Sequence, residues 1–600
     1  MQLAEVRPST SSRWARLRPL VAPDEPERTP AQWHRVLTLL ADISLFIGTR
    51  DVWTSAASHQ PLIAAVISLC YASILVTGVL TLVVRNSRSL ARLDLVVLVT
   101  AVILAYCALA VKHGFSDESI LTTQAARELL HGHPVYGQPW PWLFGHGIAY
   151  TPTVTGGYDY TYGYPPLTAL LTAPLLWLGH GAIPETLVTT TAITLGAVVM
   201  WRMLPTPWRS AATMVCLGFG MVPTYARLGY PAVVALALLI PVVVRWTRMG
   251  AGGPADWVRA ACLGAACATQ QLPWFLAPFL LAGVFALRRS ELGMRGAAAA
   301  VGRIVGIAAG TWLLINVYFI VSEPRTWLSG IVLPITQGAV IHGQGLVGIS
   351  LYYTDGSDRL TWYSHASMLL LAGLLVLFVL FVRRLGPAAT VLPWCAFFLA
   401  TRSQDGYYLL MTPLWLAAAV TVPPTAFTTA WQPRLLHGRR VARMVVAGAL
   451  VAPSLVAVAV AATGRPPLRM RTTAVSRTPL TVSTLGIQVR NSGDAALQPH
   501  FMVTTGQGMS RYWTVLDGPS SVAGHTTATY RIQAPGGSFV IPKKGTRIRL
   551  RAFSASPMTL SSQDIRLERE QVPLKGSKDA KGSKGSKGSK GPKTSKGATS

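Results

Sequence analysis

The chain has 600 residues and a formal net charge of +29, but only 13% of its residues are charged and its mean hydropathy is +0.40. Soluble proteins of this size carry roughly 25% charged residues, so the composition excludes that class and favours a protein with many membrane spans. The basic residues stand in short gaps between apolar blocks and in a terminal tail, which is typical of a membrane protein and not of a nucleic-acid-binding protein.

Residues 1–32 predict a basic cytoplasmic arm, since their arginines are not accompanied by the apolar core of a cleavable signal peptide. Residues 33–463 follow as a predicted membrane domain, because several apolar blocks approach the ~20 residues needed to cross a bilayer. The thirteen candidate spans are 35–49, 61–84, 92–111, 184–203, 210–227, 230–245, 259–271, 273–287, 304–321, 366–382, 387–401, 407–422 and 443–463.

Lys and Arg accumulate on the cytoplasmic side, so the basic gaps between the blocks predict the orientation of the spans. The arm and the gap at 85–92 lie inside, and residues 112–183 then form a large outer loop. The block 164–181 contains three prolines that disfavour a regular span, so we expect it to lie on the outer surface or dip into it. This placement keeps the later basic gaps inside and puts everything after residue 464 outside the plasma membrane.

Two neighbouring spans, 259–271 and 273–287, are short, and Gln270 and Gln271 stand at their outer turn. Short helices leave a depression on the outer face, where polar side chains can meet a lipid-linked substrate. The first span contains Asp42, and an acid inside the membrane is a functional candidate by default. The alternative for Asp42 is a position near the interface.

Residues 480–566 alternate apolar and polar side chains between regularly spaced turns, which predicts a small extracytoplasmic β-sandwich of about seven strands over residues 464–570. Residues 571–600 form a predicted flexible tail of Lys, Gly and Ser. We expect this tail to contact anionic lipid headgroups or anionic wall polymers.

The most informative polar motifs lie in the first outer loop. Asp117 and Glu118 follow the third span closely, and the stretch 125–136 reads Ala-Ala-Arg-Glu-Leu-Leu-His-Gly-His-Pro-Val-Tyr. Further on, the stretch 158–167 reads Tyr-Asp-Tyr-Thr-Tyr-Gly-Tyr-Pro-Pro-Leu. Over roughly residues 92–422, the sequence resembles glycosyltransferase family 87 of the GT-C superfamily. The resemblance rests on an acid after a span, on the stretch 125–136 as a small helix, and on the final Tyr-Pro-Pro-Leu. The segment 268–278, Ala-Thr-Gln-Gln-Leu-Pro-Trp-Phe-Leu-Ala-Pro, is similar to a family segment that usually has Lys in place of one of the two glutamines.

The resemblance implies a mainly α-helical, polytopic transferase with an outward-facing site. Its donor is a polyprenyl-phosphate sugar, most often mannose, and its acceptor is a glycolipid or polysaccharide of the cell envelope. The family inverts the anomeric centre and needs neither a metal nor a cofactor. The expected general base maps onto Asp117, and the family's helix on the membrane surface begins at the proline pair, Pro165 and Pro166.

The chemistry of glycosyl transfer supports the same residue independently. A base must take the proton of the acceptor hydroxyl as the anomeric carbon is attacked. One carboxylate suffices when phosphate is the leaving group, whereas a glycosidase needs a pair. Glu118 is the second candidate base. The alternative for Asp117 is a solvated loop acid or the N-cap of the helix that follows.

The leaving phosphate requires cations or hydrogen-bond donors on the outer side. Arg402 is an exception to the inward bias of arginine, so we expect it to bind the phosphate. The remaining predicted substrate-binding residues lie in the outer loops or turns and are Glu118, Arg127, Asp159, Tyr162, Tyr164, Gln270, Gln271, His342, Gln344 and Gln404. Ordinary alternatives are a helix-surface charge for Arg127 and an interfacial aromatic role for the two tyrosines.

Two other functions remain open at this point. A transporter or flippase of envelope lipids predicts paired repeats and charges at mid-membrane, and neither is evident in the sequence. A non-catalytic envelope scaffold would use the β-sandwich and the Lys-rich tail as its working parts, and would not depend on Asp117. No cysteine spacing typical of a metal site occurs among the six cysteines.

Overall fold

The computed structural model describes residues 31–567 except 113, 145–150, 180, 435–438, 479, 507 and 542–546. Nearly all of the predicted arm and the whole predicted tail lie outside the described residues. The described chain is mainly α-helical up to residue 462 and consists mainly of β-strands after it.

The described residues contain eighteen α-helices. They are α1 Ala31–His59, α2 Pro61–Val83, α3 Ser87–Val111, α4 Asp117–Leu130, α5 Leu167–Trp177, α6 Glu185–Met203, α7 Arg209–Leu217, α8 Met221–Arg227, α9 Pro231–Val243, α10 Pro254–Cys267, α11 Leu272–Ser322, α12 Pro324–Thr336, α13 Thr361–Leu380, α14 Val382–Leu385, α15 Leu392–Phe397, α16 Asp405–Leu409, α17 Thr412–Thr421 and α18 Arg440–Ala462.

Twelve strands occur in the same described part of the chain. They are β1 His342–Gly343, β2 Gly356–Ser357, β3 Arg402–Ser403, β4 Leu468–Arg477, β5 Thr481–Asn491, β6 His500–Thr505, β7 Gly508–Met509, β8 Thr514–Asp517, β9 Thr527–Gln533, β10 Phe539–Val540, β11 Arg547–Ser554 and β12 Thr559–Arg566.

Six of the described helices are long and apolar enough to cross a membrane: α2, α3, α6, α11, α13 and α18. Their exposed side chains are largely apolar, as expected for helices that face lipid. The other predicted spans coincide with helices that are shorter, interrupted or less apolar. The predicted span 210–227, for example, is divided between α7 and α8, because Phe219 and Gly220 both adopt a positive φ.

Helix α11 has a break in the middle, at Gly293, whose φ of 71° and ψ of −177° are not helical. Trp274 near its start and Phe319 near its end belong to the same buried apolar cluster. The two segments therefore return the chain to one side, with basic residues around the break. These segments coincide with the predicted spans 273–287 and 304–321.

The predicted outer loop, residues 112–183, contains two helices, α4 and α5, which pack against each other and against α6. Helix α5 has eleven residues and contains Pro174. At a rise of ~1.5 Å per residue, it is far shorter than a bilayer's hydrocarbon core. The structure thus agrees with the prediction that the block 164–181 does not span the membrane in a regular helix.

The C-terminal strands form two five-stranded sheets. One has the order β10-β5-β9-β8, and β4 also pairs with β5; the other has the order β2-β12-β11-β6-β7. Apolar side chains from both sheets share one core, which includes Leu485, Ile532, Phe501 and Leu550. Nine strands follow residue 464 in the described chain, where the sequence predicts about seven; β7 and β10 contain only two residues each.

The β-rich region is joined to the helical region by main-chain pairing and by an apolar cluster. Strand β2 lies in a loop of the helical region and pairs with β12 through Leu560↔Ser357 and Ser561↔Gly356. The cluster combines Tyr363 and Leu351 with Phe553 and Leu560, all fully buried. Because hydrogen bonds and buried apolar surface both cross this boundary, the β-rich region has a defined place on the helical region.

Candidate active site

Asp117 is the first residue of α4, and the helix begins there because Ser116 caps it. The Ser116 side chain accepts a hydrogen bond from the Ser119 backbone N–H (3.1 Å), and the Ser119 hydroxyl oxygen accepts one from the Ser116 N–H (3.0 Å). The cap is therefore Ser116 and not Asp117, which answers the alternative raised by the sequence. Asp117 instead accepts a 2.8 Å hydrogen bond from the Thr151 hydroxyl, at a helix N-terminus that favours negative charge.

Two distant loops are held side by side by a short parallel pairing of β1 with β3. Its register places His342 opposite Arg402, and the His342 backbone N–H donates to the Thr401 carbonyl (3.1 Å). Gly343 makes this close approach possible. Its φ is +125°, and a Cβ there would lie 2.2 Å from the Ser403 carbonyl oxygen.

These elements enclose one cavity of about 550 Å³. Five of the residues predicted from sequence line it together: Asp117, Glu118, His342, Arg402 and Gln404. The other lining residues come from the outer loop, from the segment before α9, from the segment before β1 and from the β-rich region: Thr151, Pro152, Tyr158, Tyr230, Val340, Met502, Gly508, Met509, Ser510 and Arg511.

A smaller cavity of about 240 Å³ adjoins the first and shares three lining residues with it. Gln344, another predicted residue, lines this second cavity and not the first. Asp405 lies there too, and accepts a 3.0 Å hydrogen bond from the Tyr225 hydroxyl. The polar surface therefore continues beyond the main cavity.

Glu118 is held in its neutral, protonated form. Burial, followed by repulsion from Asp117, raises the pKa of Glu118 from 4.5 to about 8, although Tyr164 donates a hydrogen bond to it and Arg402 lies near. Its Oε2 atom is buried without a hydrogen-bond partner. Glu118 is consequently protonated at neutral pH, and a protonated acid cannot take a proton from an acceptor.

Asp159 belongs to the same electrostatic cluster, although it does not line the main cavity. Burial raises the pKa of Asp159 to about 6, with Asp117 adding to the rise. The Thr161 backbone N–H, at 3.1 Å from Oδ1, and the Gln337 side chain oppose the rise by hydrogen bonding, as does the charge of Arg402. Burial also raises the pKa of Tyr164 well above its usual 10, so Tyr164 remains a hydrogen-bond donor.

His342 offers hydrogen bonding and not charge. Burial, together with nearby Arg402 and Arg551, lowers the pKa of His342 below its usual 6.5, so the imidazole is neutral at neutral pH. Its Nδ1 is buried without a hydrogen-bond partner. Arg402 provides a cation with several N–H donors in the same cavity, and its Nε likewise has no partner.

Four predicted residues lie elsewhere and make structural contacts. Arg127 donates to the Ala182 carbonyl (2.9 Å), and the fully buried Tyr162 donates to the Pro165 carbonyl (3.2 Å). Gln271 donates to the carbonyls of Gly163 and Ile331, which ties the start of α11 to the outer loop and to α12. Gln270 accepts from the Leu272 backbone N–H. None of the four lines the main cavity.

The sequence did not reveal the contribution of the β-rich region to the cavity. Met502 and the segment 508–511 line it, and Tyr512 next to them contacts the outer loop. A signal that could have pointed to it is the pair of adjacent aromatic residues, Tyr512 and Trp513, because aromatic rings can stack on a glycan. Of the two, Trp513 is buried in the core, packed against Phe539.

The arrangement combines a carboxylate fixed by Thr151, a guanidinium, a neutral imidazole and a protonated acid in one partly enclosed space. It can accept a proton from one ligand and bind an anionic oxygen of another. Among the residues that the structure describes, no group of three or more His, Cys, Asp or Glu is placed to hold a metal ion. No protein-family model and no curated protein sequence matches this chain.

Proposed function

We propose that this chain is a membrane glycosyltransferase. It moves a sugar, mannose as the first choice, from a polyprenyl-phosphate donor to a cell-envelope glycolipid or polysaccharide on the outer face of the plasma membrane. The observation that carries the proposal is the single cavity that joins Asp117 with Arg402, two residues far apart in sequence. The likeness of the outer-loop motifs to glycosyltransferase family 87 supports it.

The proposed reaction needs one base and one anion-binding group. The acceptor hydroxyl oxygen attacks the anomeric carbon, and its proton passes to the Asp117 carboxylate. The bond from the anomeric carbon to the phosphate oxygen breaks on the opposite face, so the configuration inverts. Polyprenyl phosphate leaves as an anion beside Arg402, whose N–H groups suit phosphate oxygens. His342 and Gln404 supply neutral hydrogen-bond donors in the same cavity.

The protonated state of Glu118 fits this scheme. A second carboxylate beside Asp117 would repel the donor phosphate in a partly enclosed cavity, where charges are screened less than in water. A neutral Glu118 leaves one negative charge at the base and keeps the Arg402 guanidinium available for the donor.

We also propose the finer architecture that the sequence predicts. About thirteen spans form a GT-C-type membrane domain over residues 33–463, with a cytoplasmic N-terminal arm and an extracytoplasmic β-sandwich over 464–570. The hairpin of α11 at Gly293 and the shared core of the two C-terminal sheets support this arrangement. The donor lipid then reaches the cavity from the outer leaflet.

The test compares the wild type with Asp117→Asn in lipid nanodiscs. Each protein receives a panel of radiolabelled polyprenyl-phosphate sugars and a cell-envelope lipid extract, and label in new products is measured. Loss of a general base lowers the rate by typically 10²–10⁴-fold. We expect that loss for Asp117→Asn, and wild-type rates for Glu128→Gln, which makes the same carboxyl-to-amide change on α4 outside the cavity.

The alternatives predict other outcomes. Full activity of Asp117→Asn would remove Asp117 as the base and make Asp159 the next residue to test. Absence of transfer with every donor, together with donor lipid crossing the bilayer in proteoliposomes, would favour a flippase. Absence of both activities would favour an envelope scaffold.

A further inference from the structure

We propose that the β-rich region supplies the acceptor-binding wall of the cavity, and that Arg511 donates hydrogen bonds to oxygen atoms of the acceptor glycan. This inference rests on the proposed function. It assigns a role in substrate recognition to a part of the chain that lies outside the helical region and outside the family resemblance.

The backbone of the wall is held by hydrogen bonds between β6 and residues 508–511. Strands β6 and β7 pair, and the Ser510 backbone N–H donates to the Val503 carbonyl (2.9 Å). The Ser510 hydroxyl oxygen accepts from the Val503 N–H (3.0 Å) while its proton goes to the Arg511 carbonyl (2.7 Å). These bonds fix the backbone on which Gly508, Met509, Ser510 and Arg511 face the cavity.

The same wall is attached to the loop that positions the base. The Tyr512 backbone N–H donates to the Tyr158 hydroxyl oxygen (2.9 Å), and the Tyr512 hydroxyl donates to the Thr153 carbonyl (2.6 Å). Thr151, two residues earlier, donates to Asp117 (2.8 Å). One short loop segment therefore connects the wall to the catalytic carboxylate. An acceptor bound to the wall thus has its hydroxyl at a fixed position relative to the base.

The direction of approach assigns this wall to the acceptor. A polyprenyl donor is anchored in the bilayer and must enter from the side of the membrane helices. The β-rich region follows α18 and packs on the adjoining ends of α13 and α18 and on the loop that contains β2. In the proposed orientation these helix ends face outward, so the wall lies on the aqueous side of the cavity. A glycan enters from that side. The donor has one phosphate, for which Arg402 of the helical region is available.

Arginine suits the task chemically. Its guanidinium presents five N–H donors in a rigid fork, which can span neighbouring hydroxyl or anionic oxygens of a sugar. Arg511 is half-buried, so contacts to it are less exposed to competition from water than contacts at an open surface. The inference predicts that Arg511 governs acceptor affinity and leaves donor binding unchanged.

The experiment measures two reactions of Arg511→Ala in nanodiscs. The first is transfer at increasing concentrations of the envelope lipid extract, with the donor that the wild type uses. The second is slow hydrolysis of the same donor without acceptor, in which water attacks the anomeric carbon, so that only the donor, water and the base are required. Arg531→Ala is the matched control, because Arg531 is an exposed arginine on β9 that does not line the cavity.

We expect Arg511→Ala to raise the half-saturating extract concentration roughly tenfold or more, which is the effect of losing one charge-assisted contact, and to hydrolyse donor at the wild-type rate. An unchanged half-saturation overturns the inference. A parallel loss of donor hydrolysis also overturns it, because Arg511 would then serve the donor.

A wild type that neither transfers nor hydrolyses any donor overturns the proposed function itself, and this inference with it. Folding is checked by the thermal midpoint of each variant. If Arg511→Ala lowers that midpoint, Arg511→Lys, which keeps the charge and the aliphatic stem but loses the fork, goes through the same two assays. The criteria for support and rejection are the same for it.

Discussion

Asp117 and Glu118 are adjacent on the first turn of α4, yet their surroundings differ. Asp117 faces the cavity and accepts a hydrogen bond from Thr151, whereas Glu118 has a buried oxygen with no partner. Burial disfavours the charged form of a carboxylic acid, which explains why the pKa of Glu118 is raised to about 8. A small difference in position thus gives two neighbouring acids different chemistry.

This difference predicts a dependence of stability on pH. The pKa of Glu118 is about 8 in the folded state, which is higher than its usual 4.5. Its contribution to the free energy of unfolding is therefore fully present below pH 4.5 and is lost as the pH rises through 8. We expect the thermal midpoint of the wild type to be lower at about pH 8.5 than at about pH 6.5, two pH values that bracket the raised pKa of Glu118. Glu118→Gln should show a much smaller fall, because Asp159 completes its titration near pH 6.

The transfer rate should follow the same ionisation. Above about pH 8, Glu118 adds a second negative charge beside the donor phosphate, so kcat/KM should decline on the alkaline side in the wild type and less in Glu118→Gln. Asp517→Asn, at an exposed acid on β8, is the control. If the thermal midpoint and kcat/KM declined with rising pH as steeply in Glu118→Gln as in the wild type, Glu118 would not be the group that ionises near pH 8.

The sequence indicated part of the candidate site at residue scale. Asp117 could be found because an acid directly after a span is a local pattern, and Arg402 because it departs from the inward bias of arginine. Arg511 could not be found. Its role depends on which loop the β-rich region contacts, and no local pattern in 480–566 encodes that contact. Gln271 lies outside the cavity, because its side chain donates to two backbone carbonyls, and the sequence gave no sign of these partners.

At the scale of elements, the β1–β3 pairing is the smallest structure on which the site depends. It holds two loops from different parts of the helical region in register, with His342 opposite Arg402. The pairing tolerates no side chain at Gly343, because the backbone of Ser403 occupies that space and φ is positive. An element of two residues per strand thus determines the spacing of two cavity residues.

We expect Gly343→Ala to separate these strands and to lower transfer by roughly ten- to a hundredfold, since strain of about 1–3 kcal/mol would be relieved by moving the loops apart. The measurement is the transfer rate, with hydrogen exchange at 342–344 as the structural readout. Gly302→Ala is the control, because a Cβ at Gly302 of α11 meets no atom within 4 Å. Wild-type transfer by Gly343→Ala would show that the pairing does not position the site.

The helices show where hydropathy is informative and where it is not. The blocks 61–84, 92–111 and 443–463 correspond closely to α2, α3 and α18, because each is a continuous apolar helix. The block 210–227 is interrupted by Phe219 and Gly220, whereas the break of α11 at Gly293 falls in the gap between the predicted spans 273–287 and 304–321. Average hydropathy over a window does not detect a single residue with a positive φ, so the interruption at 219–220 was not predictable from composition.

At the scale of the whole molecule, the proposed orientation places the two chain ends on opposite sides of the membrane. The test uses full-length fusions, with green fluorescent protein before residue 1 and alkaline phosphatase after residue 600. We expect fluorescence from the first and phosphatase activity from the second, because the first folds in the cytoplasm and the second outside it. A C-terminal fusion that is present in the membrane but has no phosphatase activity would mean an even number of spans and would place the cavity differently.

The contact between the helical region and the β-rich region could not be predicted from the sequence. Alternation in 480–566 predicted strands and a separate fold, and two sheets with a shared core are present. The alternation gave no sign that β12 would pair with β2, a strand between two helices. Pairing between distant segments depends on the complementary shapes of both partners, and one strand's pattern describes only one of them.

The position of the cavity between two regions also has a consequence for biosynthesis. During translation, Asp117 is synthesised early, and the segment that contains Arg511 is synthesised near the end. Domains fold in order as they emerge, so every membrane helix is made before the last wall of the cavity exists. We therefore expect incomplete chains to lack the proposed acceptor site, and a premature stop codon after α18 to abolish transfer although Asp117 and the whole helical region have been made.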